Sequence, residues 1–336
     1  MKKITSLVFA LTILLTGLTL IFGTNADANT ISVKERSDYS LKEAELLFID
    51  FLKNKNLNSE VGSEEFTKYA IEQFYSESMD ADLLKSPYYG VLMAYISEYV
   101  YAYETTIKNT DNANFINDTK DVEIKAELNQ KLAIQKEKTI GEVEREIAAE
   151  EAIAEATKTK NSAALASGTY NVTAAKAYAK KWWNGRNPNY ESYSLDCTNF
   201  TSQILRAGGK NMKQPRTITP IVNSDTNYWY YTTVSRVGVP VDVRSSSWSV
   251  VSDFYAYWNK TQPTKASTSK SQLVTYADVG DMIQFMKKDA TRYSHTMFVY
   301  KKGNSTLYLS GHTDNYLERS FYDISSIWVK YRVIKF

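Results

Sequence analysis

Thiol and imidazole groups are the scarcest reactive groups in this sequence, which contains one cysteine and two histidines. All three lie in the C-terminal half, in the order Cys197, His295 and His312. A single cysteine excludes an internal disulfide, so this thiol serves either as buried packing or through its reactivity. Thiol catalysis needs a thiolate and an imidazole, so for chemistry of that type the candidate residues are almost completely defined.

The chain has little net charge, because 40 Lys and Arg residues and 38 Asp and Glu residues leave a formal net charge of +2. Proteins that bind nucleic acid usually present a strong positive field to the phosphate groups. We therefore expect no nucleic-acid partner. Binding to anionic polymers of the cell wall stays open, but the charge does not indicate it.

Proline and tryptophan are unevenly distributed, and this indicates two domains. Residues 29–167 contain one proline, Pro87, and no tryptophan, whereas residues 168–336 contain the other prolines and all six tryptophans. The chain is also longer than one hydrophobic core usually serves. We expect a mainly α-helical N-terminal domain over 29–167 and a second domain over 168–336, with the boundary near residues 162–168.

An apolar run stands near the N-terminus, where Lys2 and Lys3 precede Ile4–Phe22. The tripeptide Ala26–Ala28 that follows has the small-x-small pattern after which signal peptidase cleaves. We expect residues 1–28 to be a signal peptide and the protein to be secreted, with association to the cell wall left open. The alternative is an uncleaved membrane anchor, since about 19 apolar residues just span a bilayer. Membrane contact is expected only through this segment.

The N-terminal half shows the hydrophobic spacing of helices. Helices are predicted over about 41–52, 63–77 and 83–107, and the third carries an apolar and aromatic stripe of the kind that usually packs in a core. Between residues 121 and 160 the chain is rich in Ala, Glu and Lys, and its heptad spacing is too short for a coiled coil. We predict one long charged helix there, either as a spacer or as a solvated helix of a bundle.

The residues around the cysteine predict the start of a helix. Asp196 or its neighbours open this helix and Gly208-Gly209 end it, which places Cys197 in the first turn. Unpaired amides and the helix dipole at such a position lower the pKa of a thiol and can donate hydrogen bonds to an oxyanion. The alternative is a buried structural cysteine, because apolar residues follow on the same helix face.

Three strands are predicted after this helix: Gly280–Phe285, Tyr293–Tyr300 and Leu307–His312. A two-residue turn centred on Gly303-Asn304 would pair Tyr300 with Leu307. The same register sets His295 opposite His312. Opposed side chains share a sheet face with Cβ atoms ~5 Å apart, so we predict that the two histidines touch. A slip of one residue in the register would separate them.

These residues make up a Cys-His arrangement that can activate a thiol for acyl transfer. Cys197 would attack a carbonyl carbon, and His295 would take the thiol proton and later give it to the leaving amine. His312 would orient His295, with Asp314 or Asn315 as the third residue if the register differs. The backbone amide of Cys197 is the expected oxyanion donor, and no cofactor is expected.

Aromatic side chains gather in the segments expected around Cys197. Stacking on peptide or sugar and ordinary core packing would both explain them. We take Tyr190 and Trp248 as secondary candidates for cleft residues, and Asp196 as a secondary candidate for contact with substrate or oxyanion. Asp281, at the entry to a predicted strand, is expected to be structural.

Four motifs in residues 169–336 resemble the amidase domain found in secreted proteins of Gram-positive bacteria: Trp182–Tyr190 (WWNGRNPNY), Asp196–Gln203 (DCTNFTSQ), Gly280–Gln284 (GDMIQ) and Ser294–Met297 (SHTM). That family is similar to the NlpC/P60 and CHAP cysteine amidases and peptidases. The resemblance implies an α+β, papain-like (NlpC/P60-like) domain in which the helix carrying the nucleophile packs against a small antiparallel sheet. By position it implies Cys197 as nucleophile, His295 as base and His312 as third residue.

The leading hypothesis is therefore a secreted cysteine hydrolase that cleaves amide bonds, with peptide or peptidoglycan as substrate. One alternative is an inactive wall-binding or surface protein with a hydrolase-like domain. Another is a zinc hydrolase in which Cys197, His295 and His312 provide three ligands, which the absence of a closely spaced ligand pair disfavours. The bond cleaved and the oligomeric state are left undefined.

Overall fold

A computed structural model describes residues 34–106, 118–161, 170–193, 195–218 and 221–336. The predicted signal peptide and the predicted domain boundary near 162–168 lie outside these ranges. Within them, no helix combines the length and apolar character needed to cross a membrane. Residues 35–336 form one compact unit.

The N-terminal part is helical, as its hydrophobic spacing predicts, and the third predicted helix is divided in two. Ser40 begins the first helix with a capping box, in which its hydroxyl accepts from the amide of Glu43 and the Glu43 carboxylate accepts from the amide of Ser40. The helices of this part, within the described residues, are α1 Leu41–Asn54, α2 Glu64–Tyr75, α3 Ala81–Lys85, α4 Tyr89–Thr106, α5 Asp118–Gln135 and α6 Ile140–Asn161.

The prediction of one long helix between residues 121 and 160 is corrected, because α5 ends at Gln135 and α6 starts at Ile140. The Thr139 hydroxyl accepts from the amide of Glu142 at 3.2 Å, and the Glu142 carboxylate accepts from the amide of Thr139 at 2.7 Å. This second capping box fixes a new helix start. The sequence carries its T-x-x-E signature, which the helical composition on either side concealed.

The C-terminal part is α+β, which confirms the α+β class of the prediction. Its helices are α7 Val172–Trp182, α8 Cys197–Ala207, α9 Ser246–Ser249, α10 Val251–Trp258 and α11 Lys270–Tyr276. Its strands are β1 Val222–Asn223, β2 Tyr231–Arg236, β3 Val239–Ser245, β4 Thr264–Ser267, β5 Met282–Lys287, β6 His295–Lys302, β7 Leu307–Gly311, β8 Tyr316–Ser320 and β9 Trp328–Ile334. They form a three-stranded sheet, β1-β3-β2, and an antiparallel six-stranded sheet, β4-β9-β5-β6-β7-β8.

The six-stranded sheet separates two apolar cores. On one face, Phe200 and Ile204 of α8 pack with Met282 and Phe298. On the other face, Phe285 and its neighbours pack against α11. A third core belongs mainly to α1, α2 and α4, and it also contains Cys197, Val251 and Tyr293. The N-terminal helices therefore share a core with the region that carries the candidate nucleophile.

The hairpin between β6 and β7 turns one residue later than predicted. The amide of Gly303 donates to the carbonyl of Thr306 at 2.8 Å, so the two-residue turn is centred on Asn304-Ser305. Leu307 consequently pairs with Lys302, not with Tyr300. The existence of the hairpin follows from the sequence, but several adjacent small and polar residues suit the same turn, so their types alone do not place its centre.

Candidate active site

Cys197 is the first residue of α8 and so lies in the first turn of a helix, as predicted. Its Sγ atom lies 3.7 Å from Oγ1 of Thr198, and the backbone of Thr296 on β6 is within hydrogen-bonding reach of the sulfur. The hydroxyls of Thr198 and Thr296 are 3.4 Å apart. The thiol therefore lies where the N-terminus of α8 meets the start of β6.

The Cys197 side chain is only 1% exposed, and this reverses its expected acidity. Burial raises the pKa of the thiol to about 12, and the carboxylates of Glu104 and Asp196 add to the rise. Hydrogen bonds from Thr198 and Thr296 oppose it. The expectation that the pKa of the Cys197 thiol is lowered is therefore wrong, because desolvation and two acidic neighbours outweigh the effect of the helix N-terminus.

His295 is the first residue of β6 and lies opposite Phe285 of β5. Its ring centroid is 5.7 Å from that of Phe285 and 6.0 Å from that of Trp328, both in the core on the sheet face away from α8. Burial lowers the pKa of His295 to about 3, and the cations Arg319 and Lys287 lower it further. Within the described residues, its buried Nδ1 atom has no hydrogen-bond partner. The imidazole is thus neutral, as a general base requires, but it is not bonded to the thiol.

His312 lies on the other side of the sheet, against α8. Its Nδ1 is 2.6 Å from a carboxylate oxygen of Asp196, its Nε2 is 2.8 Å from the carbonyl oxygen of Trp182, and its ring stacks on Phe200 at 3.6 Å. Both partners are oxygen atoms that can accept a hydrogen bond, so each ring nitrogen faces an acceptor. With 2% exposure and both nitrogens engaged, His312 joins the C-terminal end of α7 to the start of α8.

The predicted contact between the two histidines is wrong. A bulge between Val299 and Lys301 moves the register back by one residue, so that Phe298 pairs with Ser310 and the net shift from the predicted pairing is one residue. Strand β7 ends at Gly311, before His312. Successive side chains of a strand point to opposite faces, so a register change of one residue carries the histidines apart. His295 packs with the core beneath one face and His312 with α8 on the other.

The two substitutes for the third residue lie in the turn after β7. Oδ1 of Asn315 is 3.4 Å from two guanidinium nitrogens of Arg186. Asp314 is close enough to Arg319 to affect the pKa of that guanidinium. In the part of the chain that the structure describes, no hydrogen bond joins either residue to His295.

Asp196 is fully buried and forms the centre of a polar network. Its carboxylate accepts from Nδ2 of Asn199 at 2.6 Å and pairs with Nε of Arg186 at 3.1 Å, in addition to His312. Asn199 in turn accepts from the indole of Trp248 at 2.7 Å. Charged and neutral donors thus satisfy the carboxylate, which supports the start of α8 instead of facing a substrate.

The two aromatic candidates pack against each other in the core. Trp248 is 0% exposed, with its ring 4.9 Å from that of Trp229. Tyr190 is partly buried and stacks on Trp248 at 5.7 Å. The structure therefore corrects Trp248 from a cleft residue to a core residue, while Tyr190 keeps part of its surface accessible.

Four residues near the candidate catalytic groups have no signal in the sequence. Tyr75 and Glu104 come from α2 and α4 and lie beside the thiol, and each interacts with it electrostatically. Lys287 and Arg319 lie beside His295. Tyr75 donates a hydrogen bond to Glu104, and burial raises the pKa of that carboxyl to about 8. Only long-range packing brings these residues together.

The zinc alternative finds no support in the arrangement of ligands. Among the described residues, no three His, Cys, Asp or Glu side chains lie together so that they could hold a metal ion. His295 and His312 are on opposite faces of the sheet, and both nitrogens of His312 are engaged in hydrogen bonds. The donor set that the sequence offered is therefore not assembled.

Comparison with known proteins gives a match to one family and to one bacterial relative. Residues 169–334, just under half of the chain, match the model of the family described as "Putative amidase domain". The chain is also 29% identical over 140 residues to the uncharacterized protein YhbB of Bacillus subtilis (strain 168). That match covers 41% of this chain and spans 39% of the length of the relative. No solved structure matches the chain. The C-terminal region is thus amidase-like at the level of the family.

Proposed function

We propose that this protein is a secreted cysteine hydrolase that cleaves amide bonds in the peptide part of peptidoglycan. The observation that carries the proposal is the position of the single cysteine, at the first residue of a helix within the amidase-like region. The backbone of Thr296, the residue after His295, reaches the sulfur. Secretion rests on the apolar run that precedes Ala26–Ala28.

In the proposed reaction, Sγ of Cys197 attacks the carbonyl carbon of the amide while the imidazole of His295 takes the thiol proton. The tetrahedral intermediate breaks the C–N bond, and His295 gives the proton to the leaving amine. Water then hydrolyses the thioester and regenerates the thiol. Amides at the start of α8 stabilise the oxyanion. We assign the domain a papain-like arrangement on the basis of its motifs, with the nucleophile helix against an antiparallel sheet.

His312 has a different role in this proposal from the one its position in the motif implies. It binds Asp196 and the carbonyl of Trp182 and so holds the first turn of α8, where the nucleophile lies. It is therefore a positioning residue for Cys197 and not an orienting partner of His295. For catalysis the imidazole of His295 must leave its packing beside Phe285 and Trp328 and approach the thiol.

The test is incubation of purified peptidoglycan with the wild type, Cys197→Ala and His295→Ala, followed by mass analysis of the released fragments. The wild type should release fragments with new amine and carboxyl ends, and both variants should lose at least about 100-fold of that activity. Equal release by wild type and Cys197→Ala, together with no greater release by a variant that exposes the thiol, would rule out cysteine hydrolysis of the cell wall.

A second candidate function is an inactive surface protein, which the covered and weakly acidic thiol favours. In such a protein the amidase-like region would bind wall polymer without cleaving it. Co-sedimentation with peptidoglycan separates the two functions. The binding function would be supported if wild type and Cys197→Ala bound peptidoglycan equally and no variant with an exposed thiol released peptidoglycan fragments.

A further inference from the structure

The C-terminal end of α2 contacts the sheet beside His295. We define this α2 end as residues Gln73–Glu77. Nζ of Lys287, on β5, donates to the carbonyl oxygens of Gln73 and Ser76, both at 2.6 Å. Lys287 is 1% exposed, and its charge contributes to the lowered pKa of His295. A buried ammonium thus takes its acceptors from the last turn of α2, where unpaired helix carbonyls are available.

An ion pair fixes the same segment a few residues further on. The two terminal nitrogens of Arg319, on β8, are each 2.6 Å from a carboxylate oxygen of Glu77. This bidentate geometry is the strongest form of an Arg–carboxylate pair. Arg319 is the second cation whose charge acts on His295. Both cations beside the candidate base are therefore bound by the α2 end.

The same segment covers the candidate nucleophile. Tyr75 is 3% exposed and lies close enough to Cys197 for the sulfur to affect the pKa of the phenol. Its hydroxyl donates to Glu104 of α4, whose carboxyl raises the pKa of the thiol. Phe74 and Tyr75 belong to the same apolar core as Cys197. A substrate carbonyl has no access to a sulfur so enclosed.

We propose that the α2 end is an inhibitory segment, which covers Cys197 with Tyr75 and is held in place by Lys287 and Arg319. The described state is then latent, and activation consists of movement of the α2 end away from the start of α8 and β6. This inference rests on the proposed function, because inhibition requires that Cys197 is the nucleophile. Local opening of this kind needs less free energy than unfolding of the whole chain.

The test uses the rate at which iodoacetamide labels Cys197, which is unambiguous because the chain has one cysteine. Glu77→Gln weakens the ion pair with Arg319 without altering any residue near the sulfur. We expect it to speed labelling at least tenfold. The matched control is Glu318→Gln on the same strand, which breaks the 3.1 Å pair with Lys301 and should leave the rate unchanged.

Hydrogen–deuterium exchange on the same proteins separates local opening from general unfolding. In Glu77→Gln, amides of the α2 end should exchange faster while those of α1 and β9 keep the wild-type rate. Equal labelling of wild type and Glu77→Gln overturns the inhibitory segment. Faster labelling that comes only with faster exchange throughout the chain overturns it as well.

Assay of the same variants on peptidoglycan distinguishes failure of this inference from failure of the proposed function. Faster labelling together with greater fragment release by Glu77→Gln supports both. Faster labelling of Glu77→Gln without fragment release by any variant contradicts the proposed hydrolase function, and inhibition is contradicted with it. The α2 end would then only cover an unreactive thiol. Full release by the wild type with unchanged labelling in Glu77→Gln keeps the hydrolase and overturns the inhibitory segment.

Discussion

His312, which the sequence predicts to be a catalytic residue, links two segments of the structure. Its two nitrogens bind acceptors from different segments, the carboxylate of Asp196 and the carbonyl of Trp182. Removal of the ring would leave a fully buried carboxylate with fewer donors, which costs more than the loss of an exposed hydrogen bond. The contacts of His312 therefore assign it a structural role.

We predict that His312→Ala lowers the free energy of unfolding by about 2–4 kcal/mol, because it removes two buried hydrogen bonds and the stacking on Phe200. Denaturant titration measures the change. Asn315→Ala is the control, since it removes only 3.4 Å contacts to Arg186 and should change stability by less than about 0.5 kcal/mol. A change of that small size in His312→Ala would contradict the structural role.

The buried carboxyl of Glu104 makes the free energy of unfolding depend on pH. Burial is the main cause that raises the pKa of this carboxyl from 4.5 to about 8, and Asp253 adds to the rise. The hydrogen bond from Tyr75 and the charge of Arg244 oppose it. A folded-state pKa above the unfolded value favours folding below pH 4.5, and this contribution is lost progressively as pH rises to about 8.

Glu104→Gln should therefore gain stability relative to the wild type as pH rises from about 4.5 to about 8, with no further gain above that. The glutamine cannot ionise but can still accept the hydrogen bond from Tyr75. Chemical unfolding of both proteins across this pH range measures the difference. A difference that does not vary with pH would show that Glu104 is not desolvated.

The turn before β5 fixes how the main sheet meets α7. Gly280 has φ +109°, its amide donates to the carbonyl of Val299 at 3.0 Å, and its carbonyl accepts from the Tyr170 hydroxyl at 3.1 Å. The next residue, Asp281, is buried and accepts from the amides of Asp278 and Phe336, so its expected structural role fits its contacts. This element depends on glycine because its backbone conformation is rare for other residues.

Gly280→Ala should lower the free energy of unfolding by about 1–3 kcal/mol. The added Cβ would lie 2.9 Å from a methyl of Val172 in addition to the unfavourable φ. Gly185→Ala is the matched control, because its Cβ would meet only a ring carbon of Trp182 at 3.8 Å. Thermal unfolding of the two variants gives the comparison, and equal melting temperatures would contradict the strain at Gly280.

The helical and α+β parts share a core and several buried polar contacts. Cys197, Val251 and Tyr293 lie in the core of the N-terminal helices. Arg292 pairs with Glu98 of α4 through two hydrogen bonds of 2.9 and 2.8 Å. We therefore expect residues 35–336, which form one compact unit, to unfold cooperatively.

Phe66 of α2 is fully buried in the core of the N-terminal helices. We predict that Phe66→Ala lowers the free energy of unfolding, as measured by tryptophan fluorescence, by about 3–5 kcal/mol. All six tryptophans lie after residue 168, so this signal reports on the α+β part alone. Ile134→Ala on α5 is the control, because Ile134 is exposed and should leave the transition in place. A shift in helical circular dichroism without a shift in fluorescence would show two independent domains.

Local signals in the sequence predicted much of what is local in the structure. The Asp-Cys segment and the Gly-Gly pair predicted α8 with Cys197 in its first turn, and the residue runs bounded by turn residues predicted β5, β6 and β7. Such features depend on neighbours within a few residues, through caps, turns and hydrophobic spacing. The capping box at Thr139 was equally local and could have been found.

The sheet face of His295, the engagement of His312 by Asp196 and the enclosure of Cys197 were decided only by the tertiary structure. A bulge and a turn shifted by one residue set the first two, and no local pattern places either. The acidity of the thiol depends on burial by residues from α2 and α4, far away in the chain. The sequence by itself determined which groups could react, whereas desolvation and distant charges, which sum over the folded chain, decided the state in which they are held.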